Sequence, residues 1–310
     1  MRWLRKAPPL TWSVVIAAPK GEDGAQWGDT WFAADLVDAL NRAGQNARTV
    51  FRGGAASAAR EEDDVVLVLR GLRRVVPRRG KATWLLWIIS HPELVDPDEP
   101  GEYDATFAAS AHWRRAGDFA VPVSPLLQAT NSRRFTADAA ALDTGDDVLF
   151  VGSTRGEYRP AVRYAVESGI DLSVYGVGWE EYLPAERISG TFIENDRLPA
   201  AYASAGVVLN DHWQDMADDG FLSNRLFDAT ACAARVLSDE ARGIEEVFGD
   251  GIRTYRDADS LVSILGQPRD AAFPDRAARL ALADVVAREH SFDARASVLI
   301  ERAVALRSDR

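Results

Sequence analysis

Short apolar runs, separated by stretches with helical spacing, set the pattern of this chain. In the first half the runs lie near 12–18, 48–51, 65–69, 84–89, 105–108 and 120–123. Runs this short and this uniformly apolar read as strands buried on both faces. Between the first two, Phe32, Leu36, Val37 and Leu40 recur on one face of a helix from Asp29 to Ala43, and Gly44 stands where such a helix stops. A second series follows a polar, Ala-rich stretch at 128–147. Its strands are expected near 148–151, 172–175, 188–192, 206–210, 235–237 and 252–255, with helices at 158–168, 197–203, 223–232 and 241–247. A last helical stretch, about 270–308, has no strand to accompany it.

Alternation of strand and helix in both halves predicts an α/β protein of two Rossmann-like, doubly wound domains facing a central cleft, with ligands at the carboxyl ends of the strands. The 310 residues suit two domains. The expected boundaries are 1–135 for the first, 136–285 for the second, and 286–310 for a C-terminal helix that packs back toward the first domain and braces the pair. No internal repeat or low-complexity tract interrupts this pattern.

Composition narrows the classes. Hydrophobic residues at 47% and charged residues at 27% are globular values. No segment approaches the roughly 20 apolar residues of a membrane span. Met1 to Pro19 has basic residues ahead of an apolar run, as a secretory signal does, but Trp12 to Ala18 fits a first buried strand followed by a Gly-rich turn and helix. A single cysteine, Cys232, excludes an intrachain disulfide, and with only four histidines leaves no thiolate cluster for zinc. A reducing cytoplasm is the expected location.

The net charge of −11 argues against a nucleic-acid partner. Its distribution is uneven. Residues 1–135 hold eighteen basic and sixteen acidic residues, whereas 136–310 hold eighteen and thirty-one. The one basic run, Arg70 to Lys81, reads as a solvated face, or else as a surface for an anionic acceptor.

Candidate chemistry gathers where strands end. Val148 to Val151 runs into Gly152, Ser153, Thr154, Arg155 and Gly156, a small turn ahead of a helix whose free N–H groups and positive dipole end suit a phosphate, with Arg155 adding charge. The run Gly206 to Leu209 ends at Asn210, followed by Asp211, His212 and Trp213 and then by Gly220, Phe221, Leu222, Ser223, Asn224, Arg225, Leu226, Phe227 and Asp228. Ser223 or Asn224 can cap the next helix, Arg225 can pair with a diphosphate, and Asp228, one turn inside, can accept from ribose hydroxyls. Taken singly, Arg225 also suits a surface ion pair and Asp228 a solvated helix carboxylate. His91, after the apolar run Trp84 to Ile89, can take a proton from an acceptor hydroxyl, with Glu93 and His212 behind it. Trp27 and Trp31 suit a sugar face or a core. Asp96-Pro97-Asp98 has the D-x-D form of metal-dependent transferases, but the prolines around it mark a turn.

The span from Val207 to Asp239, with "VLFVGSTRGEYR" before it and "EEVFGDG" after it, resembles CgeB-like glycosyltransferases, within the broad group 1 transferases of GT-B fold. The similarity is strongest over 148–256, and "GDTWFAADLVDALNRAG" and "WIISHPE" extend it upstream. The resemblance implies a metal-independent hexosyltransferase-like enzyme without a cofactor, moving a sugar from a nucleotide-diphosphate donor to a hydroxyl-bearing acceptor. It implies that Gly28 and Asp29 approach the donor or acceptor, and that Asn210, His212, Gly220, Phe221, Ser223, Asn224, Arg225 and Leu226 join Gly152, Ser153 and Arg155 at the donor. Retaining relatives carry two glutamates eight positions apart. Here Asp228 takes the second position and Asp219, nine positions earlier, the first, both as the shorter Asp. A nucleotide-sugar epimerase and a catalytically inactive nucleotide-sugar-binding protein of the same fold are the alternatives. Donor base, acceptor, stereochemistry and oligomeric state leave no mark in the sequence.

Overall fold

The computed structural model describes residues 8–25, 27–52, 63–78, 80–139 and 145–309. Most of the signal-like basic start, Arg79 of the basic run and residues 140–144 of the Ala-rich stretch lie outside them. The chain forms two compact units. Unit 1 takes the chain up to Gln128, then Asp218–Phe221 and the residues from Ser291 onward; unit 2 takes Ala129–Ala217 and Leu222–His290.

Unit 1 is built on six parallel strands, β1 (Thr11–Pro19), β2 (Asn46–Arg52), β3 (Val65–Arg70), β4 (Thr83–Ile88), β5 (Ala105–Ala108) and β6 (Val123–Pro125), in the order β2-β1-β3-β4-β5-β6. Every residue of β3 and β4 is buried, which is why they appear as unbroken apolar runs. A short turn of helix, α1 (Glu22–Ala25), precedes α2 (Gly28–Arg42), which buries Phe32, Leu36 and Leu40 as the helical spacing requires. Phe32 packs edge-on against Trp87 of β4 at 5.3 Å. Among the described residues, the crossovers from β3 to β4 and from β4 to β5 contain no α-helix. The second uses 3₁₀ turns at Pro92–Leu94 and Glu99–Glu102 instead, because closely spaced prolines deny a helix its donors. From the β3–β4 crossover, Arg74 pairs with Asp96 (2.5 Å), Asp98 (3.3 Å) and Glu102 (2.9 Å) of that loop, so the D-x-D carboxylates tie the two crossovers together. The last strand lies at 123–125, three residues beyond the expected 120–123, where Pro122 ends the loop and Val123 pairs with Thr106.

Unit 2 contains β7 (Val148–Val151), β8 (Leu172–Tyr175), β9 (Ile188–Gly190), β10 (Val207–Asn210), β11 (Val236–Asp239) and β12 (Arg253–Tyr255), ordered β12-β11-β10-β7-β8-β9. Its helices are α3 (Pro160–Glu167), α4 (Leu198–Ser204), α5 (Gln214–Asp218, whose last residue belongs to unit 1), α6 (Asn224–Ala231), α7 (Ile244–Phe248), α8 (Ala258–Leu265), α9 (Arg269–Ala272) and α10 (Arg276–Glu289). Counting strands from β7, the order is the doubly wound 6-5-4-1-2-3, and direction reverses between β7 and β10. Ligands of such sheets bind beyond the carboxyl ends of the strands at that reversal.

The helical stretch expected over about 270–308 consists of α9, α10 and α11 (Phe292–Ser308). The break before α11 has a local cause: the Ser291 hydroxyl accepts from the Ala294 N–H at 3.3 Å and caps a new helix. Helix α8 escaped the sequence reading, although Asp257 and Ser260 form a reciprocal capping box at its start. Within unit 1, α11 lies on α2 and β4, with Phe292 edge-on to Phe32 at 4.7 Å. The Arg295 guanidinium donates to the carbonyls of Leu127 (2.7 Å) and Gln128 (2.9 Å), anchoring the helix to the end of the β6 segment.

Candidate functional site

At the reversal point of the second sheet, β7 ends in Phe150 and Val151 and β10 ends in Asn210, followed by Asp211. Two guanidiniums converge there. Arg159, the residue before α3, is almost wholly buried, forms an ion pair with Asp211 and donates to the Ser153 carbonyl at 3.0 Å. Arg225, in the first turn of α6, donates to Asn210 Oδ1 at 2.6 Å and to the Val151 carbonyl, and bonds the Tyr202 hydroxyl. Both lie over the Phe150 ring, at 4.7 and 5.0 Å. The glycine after β7 makes this convergence possible: a Cβ on Gly152 would stand 2.8 Å from Arg225 Nη2 and 2.9 Å from Arg159 Nη1.

The turn itself differs from the expected cradle of free N–H groups. The Gly152 N–H donates to the Tyr175 carbonyl (2.7 Å) and the Thr154 N–H to the Val177 carbonyl (3.1 Å), so two of those donors serve the fold. What the turn offers instead is charge. Arg155 sits in the left-handed region, φ 61°, and its guanidinium lies 5.0 Å from the centre of the Trp213 ring. Three arginines thus surround the end of β7, and Asp211 is the one carboxylate in an ion pair with any of them among the described residues. Burial lowers the Arg225 pKa, and repulsion from Arg159 adds to the effect. A guanidinium stays protonated at neutral pH even so. Surplus positive charge held in a desolvated place is favourable once an anion arrives.

Helix α6 supplies the next part. The Ser223 side chain makes no capping bond, which leaves the N-terminus of α6 open toward anionic oxygens. One turn in, Asp228 is buried, accepting from Asn224 Nδ2 (2.7 Å) and from the Thr130 hydroxyl (2.7 Å). Two hydrogen bonds to the carboxylate fix its rotamer. Leu226 is core. The His212 ring is spent inside the fold: Nδ1–H donates to Asp239 at 2.6 Å and Nε2 accepts the Ser223 N–H at 2.9 Å. Burial raises the Asp239 carboxyl, but its contacts with His212 outweigh it and leave its pKa lowered. His212 therefore positions the residue before α6 from within the core.

Asp219 belongs to unit 1. Its carboxylate accepts from Arg114 Nε at 2.6 Å and its carbonyl from the Ser110 hydroxyl at 2.5 Å. Gly220 has φ 71°, and Phe221 packs edge-on against Trp113 at 5.7 Å, also within unit 1.

Unit 1 gathers a second group at the carboxyl ends of β3 and β4. His91 follows β4 in the left-handed conformation, φ 53°, and its Nδ1 lies 3.2 Å from Glu93 Oε1. Asp29, in the first turn of α2, is close enough to feel the His91 charge. A Cβ on Gly71 would lie 3.2 Å from the Ser90 hydroxyl and 3.6 Å from Asp29 Oδ2, which places Asp29, Gly71 and Ser90 together. Gly28 opens α2 with space around it. Burial raises the Asp29 pKa above the usual carboxylate value, and His91 offsets part of that. Ionised Asp29 is therefore disfavoured by folding, and its unfavourable contribution grows as pH rises through the ordinary Asp value. The Asp29→Asn variant is expected to melt at a higher temperature than the parent at pH 7, with the gap closing as pH falls below that value; scanning calorimetry across the range checks it.

Solved structures align over nearly the whole chain. AviGT4, a glycosyltransferase involved in avilamycin A biosynthesis, is 16% identical with a TM-score of 0.66, covering 97% of this chain and 99% of its own. Sucrose-phosphate synthase from Thermosynechococcus elongatus is 14% identical with a TM-score of 0.67, covering 97% and 100%. HepE of Anabaena, solved with UDP-glucose, is 10% identical with a TM-score of 0.61, covering 96% and 98%. The chain has the GT-B fold. Residues 158–301 match the family described as glycosyl transferase-like, and no curated protein matches the sequence.

That match begins beside Arg159, the residue that the sequence reading passed over. Its one signal was position: an arginine immediately before Pro160, where a helix starts, with the first free helix amides at hand. Tyr202 and Thr130 carried no signal, since their partners lie 23 and 98 positions along the chain. Among the described residues no three His, Cys, Asp or Glu side chains gather as a metal ligand set, and no helix is long and apolar enough to cross a membrane.

Proposed function

We propose that this protein is a glycosyltransferase that takes a hexose from a nucleoside-diphosphate sugar to a hydroxyl-bearing acceptor. The observation that carries the reading is the cluster of Arg155, Arg159 and Arg225 around Gly152 at the reversal point of the second sheet, with one paired carboxylate among them. A diphosphate neutralises the surplus charge, Asp228 accepts from the ribose, and the open N-terminus of α6 stands immediately before Arg225 in sequence. The glycosyl transferase-like match, the fold and the CgeB-like resemblance of 148–256 support the same class.

In the reaction the bond between the anomeric carbon and the diphosphate oxygen breaks as the acceptor oxygen bonds to that carbon, and the acceptor proton passes to a base. Negative charge then collects on the leaving diphosphate, and preorganised guanidiniums stabilise it more than they stabilise the bound donor. This chemistry needs no metal. In unit 1, His91 and Asp29 are the candidates for the proton acceptor, and Asp219, held by Arg114, is assigned to orienting that loop. We place the reaction in the cytoplasm.

The test is a thermal-shift screen with UDP, GDP, dTDP, ADP and their sugar conjugates, since a ligand of the folded state raises its melting temperature. One base is expected to give a selective shift. In Arg225→Ala, affinity for it is expected to fall about tenfold to a hundredfold, the worth of one charge-assisted contact. A parent that shows no shift at millimolar ligand, or an Arg225→Ala protein with parental affinity, overturns the reading. Donor turnover without any acceptor would move it to an epimerase.

A further inference from the structure

At the opposite, amino-terminal edge of the second sheet lies a cavity of about 660 Å³ that the proposed reaction does not use. Ala205 borders it two residues before β10, and Ala233, Ala234 and Arg235 border it immediately before β11. A four-residue strand is about 13 Å long, so the sheet itself separates this cavity from Gly152 and Asn210. Its volume falls in the range of small-molecule sites.

The walls have two characters. One is a smooth patch of alanines, including Ala203, Ala205, Ala233 and Ala234; the other is cationic, with Arg235, Arg276 and Arg279. The two carboxylates present are already occupied. Asp270 pairs with Arg235 at 2.7 Å, and Asp275 caps α10 by accepting the Ala278 N–H at 2.8 Å. Arg276 makes no ion pair among the described residues. Arg279 is 7% exposed, and its Nε and Nη1 donate to the carbonyls of Ala233 (2.9 Å) and Pro274 (2.5 Å). Its Nη2 has no hydrogen-bond partner among the described residues and is not among the buried unpartnered atoms, so it is reached by solvent and can donate to a ligand in the cavity. Burial, and then repulsion from Arg235 and Arg276, lower its pKa.

We propose that this cavity is a second binding site, for a small organic anion whose phosphate or carboxylate head meets Arg276 and Arg279 while its body lies on the alanine wall. Asp270 and Asp275 attract Arg279 without forming an ion pair with it, so the cavity holds three arginines against two carboxylates, a surplus that an anion would balance. The site stands independently of the proposed transferase reaction.

Isothermal titration calorimetry of the full chain with inorganic phosphate, a hexose 6-phosphate and citrate tests it. At least one of the two organic anions is expected to bind more tightly than inorganic phosphate, because only these fill the apolar wall; which one binds tells phosphate head from carboxylate head. Arg276→Glu, a change at an exposed position, is expected to keep the fold and weaken that binding at least about tenfold. Arg225→Ala is expected to leave it unchanged. The proposal is overturned if neither organic anion binds at millimolar concentration, if Arg276→Glu binds as the parent does, or if binding is lost with Arg225→Ala, which would place the anion at the nucleotide cluster.

Discussion

Replacing Gly152 by alanine is expected to leave the protein folded and to reduce its affinity for the donor nucleotide by about a hundredfold or more. The new Cβ would meet the ends of Arg225 and Arg159 at 2.8 and 2.9 Å, while its approach to the Phe150 ring, 3.5 Å, is an ordinary contact. Side-chain ends move more readily than backbone, so the clash is resolved by displacing both guanidiniums at the end of β7, with some loss of stability because Arg159 is held by Asp211. Charge-assisted hydrogen bonds are worth roughly 1.5–3 kcal/mol each, and losing the geometry of two accounts for the expected hundredfold. Calorimetric titration with the nucleotide selected by the thermal-shift screen measures it, with circular dichroism and a melting curve as the check on folding. If the alanine variant binds the nucleotide as the parent does, the arginine cluster does not hold the diphosphate.

Gly152 also shows which parts of this protein the sequence makes visible. The strands of both sheets announced themselves because parallel strands covered on both faces must be apolar throughout, as in Val65–Arg70 and Thr83–Ile88. The edge strand Val123–Pro125 was expected at 120–123 and lies further along the chain, since it is largely uncovered and its pattern is broken by prolines. The helix end set by Ser291 was lost inside a longer helical stretch, and the helix opened by Asp257 was missed whole. At the candidate site, the reversal-point turn and the residues of α6 could be named in advance because strand ends and helix starts are local features. Their allegiances could not. That Arg159 would pair with Asp211, 52 positions on, or that both ring nitrogens of His212 would be consumed by Asp239 and Ser223, depends on which strands become neighbours. The free N–H groups expected of residues 152–156 failed for the same reason, because β8 and the loop after it, through Tyr175 and Val177, claim two of them.

The pair that the sequence hid is the one whose disruption is expected to cost the most stability. Arg159 and Asp211 are each 2% exposed at the side chain, and Asp211 Oδ2 has no hydrogen-bond partner among the described residues. Arg159→Leu removes the only ion-pair partner Asp211 has among them, and a buried carboxylate so abandoned destabilises a fold by about 3–5 kcal/mol. Urea denaturation at pH 7 is expected to show a loss of that size. A second substitution supplies the decisive comparison. Arg159→Leu with Asp211→Leu removes both charges and is expected to recover most of the lost stability, because two apolar side chains suit the buried position better than one orphaned charge. Strong non-additivity is thus the signature, whereas the exposed pair Arg256 and Glu240, 78% and 51% accessible, is expected to show no measurable coupling in the same cycle. Donor affinity should not follow stability in the double variant, since the cluster has lost a guanidinium that no leucine replaces. A double variant that regains both stability and nucleotide binding would show Arg159 to be a strut of the fold alone, and would leave Arg155 and Arg225 to meet the diphosphate.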